Sequence, residues 1–181
     1  MEVLSRVLSE QMQQLINHLI QVEFGSAYLY LAMSAYFARS NMTGTAAWLR
    51  LQYEEELTHA HRLVDYMSDR GGTVQIQGVP RQPVQFGSPL EAFQQVLAHE
   101  QYVTQTYQQA FEAAMKAQDL QTAGVIQEFL REQVDEVAQA MVIVGRLQVA
   151  RDNPAALLIM DQELGRREPA VAPAPAPAPA G

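Results

Sequence analysis

The sequence contains no cysteine among its 181 residues. This absence excludes disulfides, thiolate zinc sites, iron–sulfur clusters and cysteine nucleophiles, so a bound metal would need carboxylate, imidazole or amide ligands. Lysine is nearly missing too, since Lys116 is the only lysine among twelve basic residues and the formal net charge is −8. That charge argues against nucleic acid as a partner and favours the attraction of cations.

Long apolar runs are also missing, and none approaches the roughly 20 residues that a membrane span requires. The first ten residues, MEVLSRVLSE, lack a basic region followed by an apolar core. We therefore expect no secretory signal, no membrane partner and a cytoplasmic protein. The 20.2 kDa chain, with 48% hydrophobic residues and a mean hydropathy of −0.13, is typical of one globular domain.

Glycine and proline are sparse in the first 70 residues, which favours two long helices, at about 5–39 and 44–70. Prolines and a strand-like alternation of Val74 and Ile76 follow. Ser88 to Glu91 form a capping box that starts a third helix, which runs to about Ala117. Asp119 caps a fourth helix to about Ala150, and Asn153 before Pro154 caps a short fifth helix, AALLIMDQELGR.

The connection between the second and third helices is too long for a tight turn. About 16 extended residues can span about 50 Å, which exceeds the length of about 40 Å of a 27-residue helix. The sequence therefore predicts an all-α, ferritin-like four-helix bundle with one long crossover and a short fifth helix. We assign the folded domain to 1–167 and expect the Pro/Ala-rich tail, 168–181, to be disordered.

Residues three and four apart along each long helix form a seam that should face the bundle core. Each seam is apolar or aromatic at both ends and polar near its middle. The polar positions are Glu23 in the first helix, Glu56 and His59 in the second, Glu100 in the third, and Gln133 and Glu136 in the fourth. If the helices align end to end, these side chains meet at one depth.

Burying several carboxylates costs free energy comparable to the 5–15 kcal/mol stability of a typical domain. No lysine or arginine occupies a seam position, which leaves protonation, internal water or bound cations to offset the cost. Two bridged cations satisfy the charge best, and oxygen ligands with an imidazole suit iron or manganese.

Four segments carry a resemblance to the non-haem bacterial ferritins: QVEFGSAYLY, YEEELTHAHRLVDY, HEQYVTQTY and REQVDE. The resemblance covers residues 8–165 or so and implies a di-iron ferroxidase centre. It assigns one iron to Glu23, Glu56 and His59, and the other to Glu56, Glu100 and Gln133, with Glu56 bridging. Tyr30 matches the family's tyrosine near that centre, whereas Tyr66 and Tyr107 are interpreted as core aromatics.

The resemblance also implies a third iron position beside the pair, formed by Glu55, Glu132, Asp135 and Glu136. Asp135 is shorter than the glutamate expected there. Haem is not expected, because the fourth helix lacks a second Glu-x-x-His and the residue after Glu56 is Leu57 rather than methionine.

The implied function is iron storage: Fe(II) is oxidised by dioxygen or hydrogen peroxide and deposited as an Fe(III) mineral. The implied assembly is a homo-oligomeric, hollow 24-subunit cage, and burial of the apolar AALLIM stretch in the fifth helix fits subunit contacts. Two alternatives stay open. One is a small di-iron or di-manganese oxidase or peroxidase without mineral storage, and the other is a helical binding or scaffolding protein with protonated buried acids.

Overall fold

The structure, a computed structural model, describes residues 8–151 and 153–168. Five helices and no strand occur in these two ranges. The helices are α1 (Glu10–Arg39), α2 (Thr43–Asp69), α3 (Pro89–Lys116), α4 (Leu120–Ala150) and α5 (Pro154–Leu164). The predicted all-α fold, a four-helix bundle with a short fifth helix, is confirmed. No helix of the described part is both long and apolar enough to cross a membrane.

The predicted caps fix most helix starts. Ser88 and Glu91 form the reciprocal capping box, and the side chains of Asp119 and Asn153 accept backbone N–H groups at the starts of α4 and α5. The first helix was predicted to start near residue 5, but among the described residues it starts at Glu10. Ser9 is its N-cap, because the Ser9 side chain accepts a hydrogen bond from the Met12 N–H. Residues 1–7, and 169–181 of the predicted tail, lie outside the described residues.

The segment between α2 and α3 runs along α1 as the predicted crossover. Near one end, Asn17 donates to the Thr73 carbonyl and accepts from the Gln75 N–H, at 3.0 and 2.7 Å. Nineteen residues further along α1, the Tyr36 hydroxyl donates to the Gly87 carbonyl at 2.8 Å. The Val74 and Ile76 alternation does not form a strand, since this segment is held by side chains of α1 instead of by a strand partner.

Two apolar clusters fill the bundle, one towards each end. One cluster contains Met33, Phe37, Phe93 and Leu147, and the other contains Ile16, Leu63, Ala114 and Ile126. The predicted polar seam positions lie between them. The bundle therefore surrounds a layer of buried polar groups with apolar side chains above and below.

The fifth helix packs against α2 and α4 near the start of α2. Asp161 of α5 accepts hydrogen bonds from the N–H groups of Gly44 and Thr45, at 3.1 and 2.7 Å, and from the Thr45 hydroxyl at 2.8 Å. A Cβ atom at Gly44 would lie 1.7 Å from the Asp161 carbonyl oxygen, so only glycine permits this approach. Through this contact the chain that follows α5 reaches the middle of α2.

Candidate metal centre

Each long helix contributes at least one buried polar side chain to the middle of the bundle. Exposed fractions are only 1% for Glu23 and Glu100 and 3% for Glu56 and Gln133. These are the positions that the seam spacing predicts. Their burial rules out the ordinary interpretation of such acids as a solvated helix face.

Glu23, Glu56 and His59 come closest together. Each offers a ligand atom within 4.8 Å of those of the other two, and they are the only three-residue group of this kind among the described residues. The His59 Nδ1 atom lies 3.2 Å from an oxygen of Glu56 and 3.7 Å from an oxygen of Glu23. An imidazole nitrogen facing two buried carboxylates is a donor set suited to a divalent metal.

The other ring nitrogen of His59 faces away from this group. His59 Nε2 lies 3.1 Å from Glu132, whose two oxygens accept hydrogen bonds from the Arg62 guanidinium at 2.8 and 2.9 Å. A carboxylate bound to the distal nitrogen fixes the ring orientation of a metal-ligating histidine. Glu132 and Arg62 therefore hold Nδ1 towards Glu23 and Glu56.

Glu100 lies on the other side of the same polar layer. It accepts hydrogen bonds from the Tyr30 hydroxyl and, at 3.0 Å, from the Gln133 amide. Tyr30 is completely buried, in agreement with its predicted place near the centre. Gln133 comes from α4 and Glu100 from α3, so this half of the site is assembled across that helix pair.

The protonation of the paired carboxyls is asymmetric. Burial would raise the pKa of Glu23, but hydrogen bonds from His59, Glu56 and Tyr107 and the positive charge of His59 hold it below its usual value. Burial, and then the negative charge of Glu23, raise the pKa of Glu56 well above its usual value. Of the two, Glu23 therefore loses its proton more readily and Glu56 keeps its proton to higher pH.

His59 and Glu100 are shifted as well. Burial lowers the pKa of His59, but hydrogen bonds to Glu132, Glu23 and Glu56 outweigh it and raise that pKa to about 12. Burial raises the pKa of Glu100 to about 7, against the hydrogen bonds from Tyr30 and Gln133. The cation-free site thus carries protons that a metal would have to displace.

The four residues predicted for the third iron position do not form one ligand group. Glu132 is bound to His59 and Arg62, Glu55 accepts from Arg167 at 2.7 Å, and Asp135 is exposed. Glu136 accepts a hydrogen bond from the Gln52 amide at 2.9 Å. Burial and the negative charge of Glu55 raise the pKa of Glu136.

Sequence reasoning missed three residues at the site. The Tyr107 hydroxyl donates to Glu23 although Tyr107 was predicted to be only a core aromatic, and Arg62 and Arg167 approach from outside the seams. Tyr107 lies on the same predicted seam as Glu100, seven residues or about two turns further along the helix, which was an available signal. No such signal exists for Arg167, which follows the fifth helix.

One oxygen of the cluster accepts no hydrogen bond. Glu23 Oε2 is buried, and its contact with His59 Nδ1 is long, at 3.7 Å, although the pKa of Glu23 is held below its usual value. A buried charged oxygen without a donor is costly unless a cation binds it. The donor set, two carboxylates and an imidazole with a further carboxylate and an amide nearby, fits a pair of iron ions.

Comparisons with known proteins agree with this geometry. A family model described as "Ferritin-like domain" matches residues 13–149. The "Bacterial non-heme ferritin" of Bacteroides fragilis (strain 638R) is 37% identical over 161 residues, 89% of this chain and 100% of that protein. The protein of the same description from Escherichia coli O6:H1 is 34% identical over 158 residues, covering 87% of this chain and 96% of that one.

Solved structures give the same result. An open pore ferritin from the hyperthermophilic archaeon Archaeoglobus fulgidus superimposes with a TM-score of 0.88 at 40% identity, covering 89% of this chain and 98% of that chain. A form of the Archaeoglobus fulgidus ferritin engineered to be closed superimposes with a TM-score of 0.87, also at 40% identity and with the same coverage. Both likenesses therefore extend over most of the chain.

Proposed function

The chain belongs to the ferritin family and functions in iron storage, and we propose that it takes up iron by oxidising Fe(II) at the buried cluster of Glu23, Glu56 and His59. The observation that carries this proposal is the buried oxygen of Glu23, which accepts no hydrogen bond and lies 3.7 Å from His59 Nδ1. Family membership favours storage over a small oxidase or peroxidase that deposits no mineral.

In the proposed reaction two Fe(II) ions are the substrates. Glu23, Glu56 and His59 would bind one, and Glu56, Glu100 and Gln133 the other, with Glu56 bridging. Each iron gives one electron, and the two electrons with two protons reduce dioxygen to hydrogen peroxide, or hydrogen peroxide to water. The protein supplies position and negative charge, whereas the redox change belongs to the iron.

The remaining residues position this cluster. Glu132 and Arg62 would keep His59 Nδ1 aimed at the metal, and Tyr30 and Tyr107 would hold Glu100 and Glu23 in place. The Fe(III) product would move to a mineral inside a homo-oligomeric cage of 24 subunits. A third iron beside the pair, at Glu55, Glu132, Asp135 and Glu136, and a cytoplasmic location both stay predictions.

Replacing Glu56 with Ala tests the proposed chemistry. This change removes the bridging carboxylate, so oxidation of Fe(II), followed by stopped-flow absorbance, should slow by more than the roughly 10- to 100-fold loss that residues orienting a ligand produce. Helical content measured by circular dichroism should not change. The matched control is Glu54→Ala, because Glu54 is exposed on the same helix and pairs only with Arg50. Equal oxidation rates in the Glu56 variant and the wild type would contradict the proposal.

A further inference from the structure

Arg167, three residues beyond the end of α5, reaches into the side of the polar layer. Its guanidinium donates to the Gln52 side-chain oxygen and, at 2.7 Å, to Glu55. The guanidinium carbon lies 5.1 Å from the centre of the Trp48 ring. Only 18% of the Arg167 side chain is exposed, which is little for an arginine.

This contact continues inward to a second acid. Gln52, whose oxygen accepts from Arg167, uses its amide nitrogen to donate to Glu136 at 2.9 Å. Arg167 and Asp135 also line the same surface cleft between α4 and α5. The guanidinium therefore touches Glu55 directly, reaches Glu136 through one amide, and shares a cleft with Asp135.

These three acids are members of the predicted third iron position. We propose that the positively charged Arg167 side chain takes the place of a cation at that position and competes with a third metal ion for Glu55. This inference rests on the proposed function, since it assumes that the neighbouring pair binds metal.

Charge and geometry set the two states against each other. The Arg167 guanidinium donates to one Glu55 oxygen at 2.7 Å and so occupies part of the carboxylate that a metal ion would use. A divalent ion at Glu55 would also lie beside the positive charge of the guanidinium and be repelled by it. We therefore expect a metal ion at Glu55 to displace Arg167 from its contacts with Glu55, Gln52 and the Trp48 ring.

Two neighbours make the inference testable. Trp48 is the only tryptophan of the chain and is 4% exposed, so its fluorescence reports the loss of the guanidinium over its ring. Arg166 carries the same charge on the same segment and lines the same cleft, but its side chain is exposed. Arg166→Gln is therefore a control for charge alone.

The experiment is an anaerobic titration of the assembled protein with Zn(II), which has no redox chemistry, followed by calorimetry and by Trp48 fluorescence. In the wild type we expect two tight ions per chain and a weaker third, and Trp48 emission should change only with the third. In Arg167→Gln the third ion should bind about tenfold more tightly, the size of one lost charge-assisted hydrogen bond. Arg166→Gln should behave like the wild type.

Three results would overturn the inference. The first is that the third Zn(II) ion binds Arg167→Gln no more tightly than the wild type while the two tight ions still bind. This result would leave the proposed function intact. The second is an equal gain in Arg166→Gln, which would mean that net charge and not the Arg167 contact matters. The third is the absence of tight ions in the wild type, which would overturn the proposed paired centre as well.

A second variant guards against a failure of Arg167→Gln to assemble. Arg167→Lys keeps the charge but cannot donate to Gln52 and Glu55 in the same forked geometry. Its third affinity should lie between those of the wild type and Arg167→Gln. A third affinity equal to that of the wild type would contradict a role for the forked contact.

Discussion

Glu23 and Glu56 share one histidine, and this arrangement determines how the site is charged without metal. His59 is protonated because three carboxylates surround it, and its pKa is about 12. The pKa of Glu23 is held below its usual value, whereas burial and the charge of Glu23 raise that of Glu56. Metal binding must therefore remove a proton from His59, together with any proton that Glu56 or Glu100 holds.

Proton release is the first prediction at this scale. Protons compete with the cation below the raised pKa values of Glu56 and Glu100, so affinity should fall as the pH falls. We expect apparent Zn(II) affinity to rise by at least about tenfold per pH unit near neutral pH, since one proton or more leaves with each binding event. Calorimetry in two buffers of different ionisation enthalpy measures this release. Heats that do not depend on the buffer would contradict it.

Residue spacing was sufficient to predict which carboxylates are buried, because a seam position fixes the direction of Glu23, Glu56, Glu100 and Gln133 towards the core. Spacing could not predict their partners. Arg167 and Gln52 are 115 residues apart in the chain and meet only through the docking of α5. Sequence patterns carry no information about such a contact, because it depends on where a short helix packs.

At the scale of elements, α5 provides the cap that α2 lacks. The N-cap residue of α2, Met42, makes no side-chain hydrogen bond to the helix, and Asp161 of α5 supplies three instead. A negative side chain at a helix N-terminus is also favoured by the helix dipole. Docking of α5 therefore stabilises the start of α2, and the two segments should open together.

Replacing Asp161 with Ala tests this coupling. The change leaves three buried donors of Gly44 and Thr45 without an acceptor. The free energy needed to detach α5 from the bundle should therefore fall by about 2–4 kcal/mol. Hydrogen–deuterium exchange of α5 and of the first turn of α2 should accelerate together. Glu163→Gln is the control, because Glu163 makes an exposed ion pair with Arg146 that contributes little. Separate responses of the two segments would contradict the coupling.

Helix bounds followed from local chemistry. Capping residues such as Ser88 and Asp119 identify helix starts, and Gly71 follows the end of α2 with a positive φ of 68°. The start of α1 was missed because residues before Ser9 are also good helix formers, so composition alone does not mark the boundary. The hydrogen bond between Ser9 and Met12 does mark it.

At the scale of the whole molecule, the isolated chain exposes apolar side chains that a lone domain would not be expected to expose. Leu158 and Ile159 of α5 are 59% and 57% exposed, and Met141 and Val142 of α4 are 56% and 54% exposed. Exposed apolar surface of this kind is typical of subunit interfaces. The cage predicted from the sequence would cover it.

Charge at these positions should therefore limit assembly. We expect the double variant Leu158→Glu, Ile159→Glu to yield smaller species by mass photometry than the wild type, which as a cage of 24 chains of 20.2 kDa would have a mass of about 480 kDa. Gln162→Glu is the control, since Gln162 is exposed on the same helix. A wild-type particle no larger than a dimer would contradict the predicted cage.

The central claim is that carboxylates, an imidazole and an amide from four helices bind two iron ions in the middle of the bundle. Anomalous diffraction at the iron edge from crystals soaked anaerobically in ferrous salt tests it most directly. The account predicts two peaks per chain, one among Glu23, Glu56 and His59 and one among Glu56, Glu100 and Gln133. Iron density only at the surface, with these side chains still bonded to one another, would contradict it.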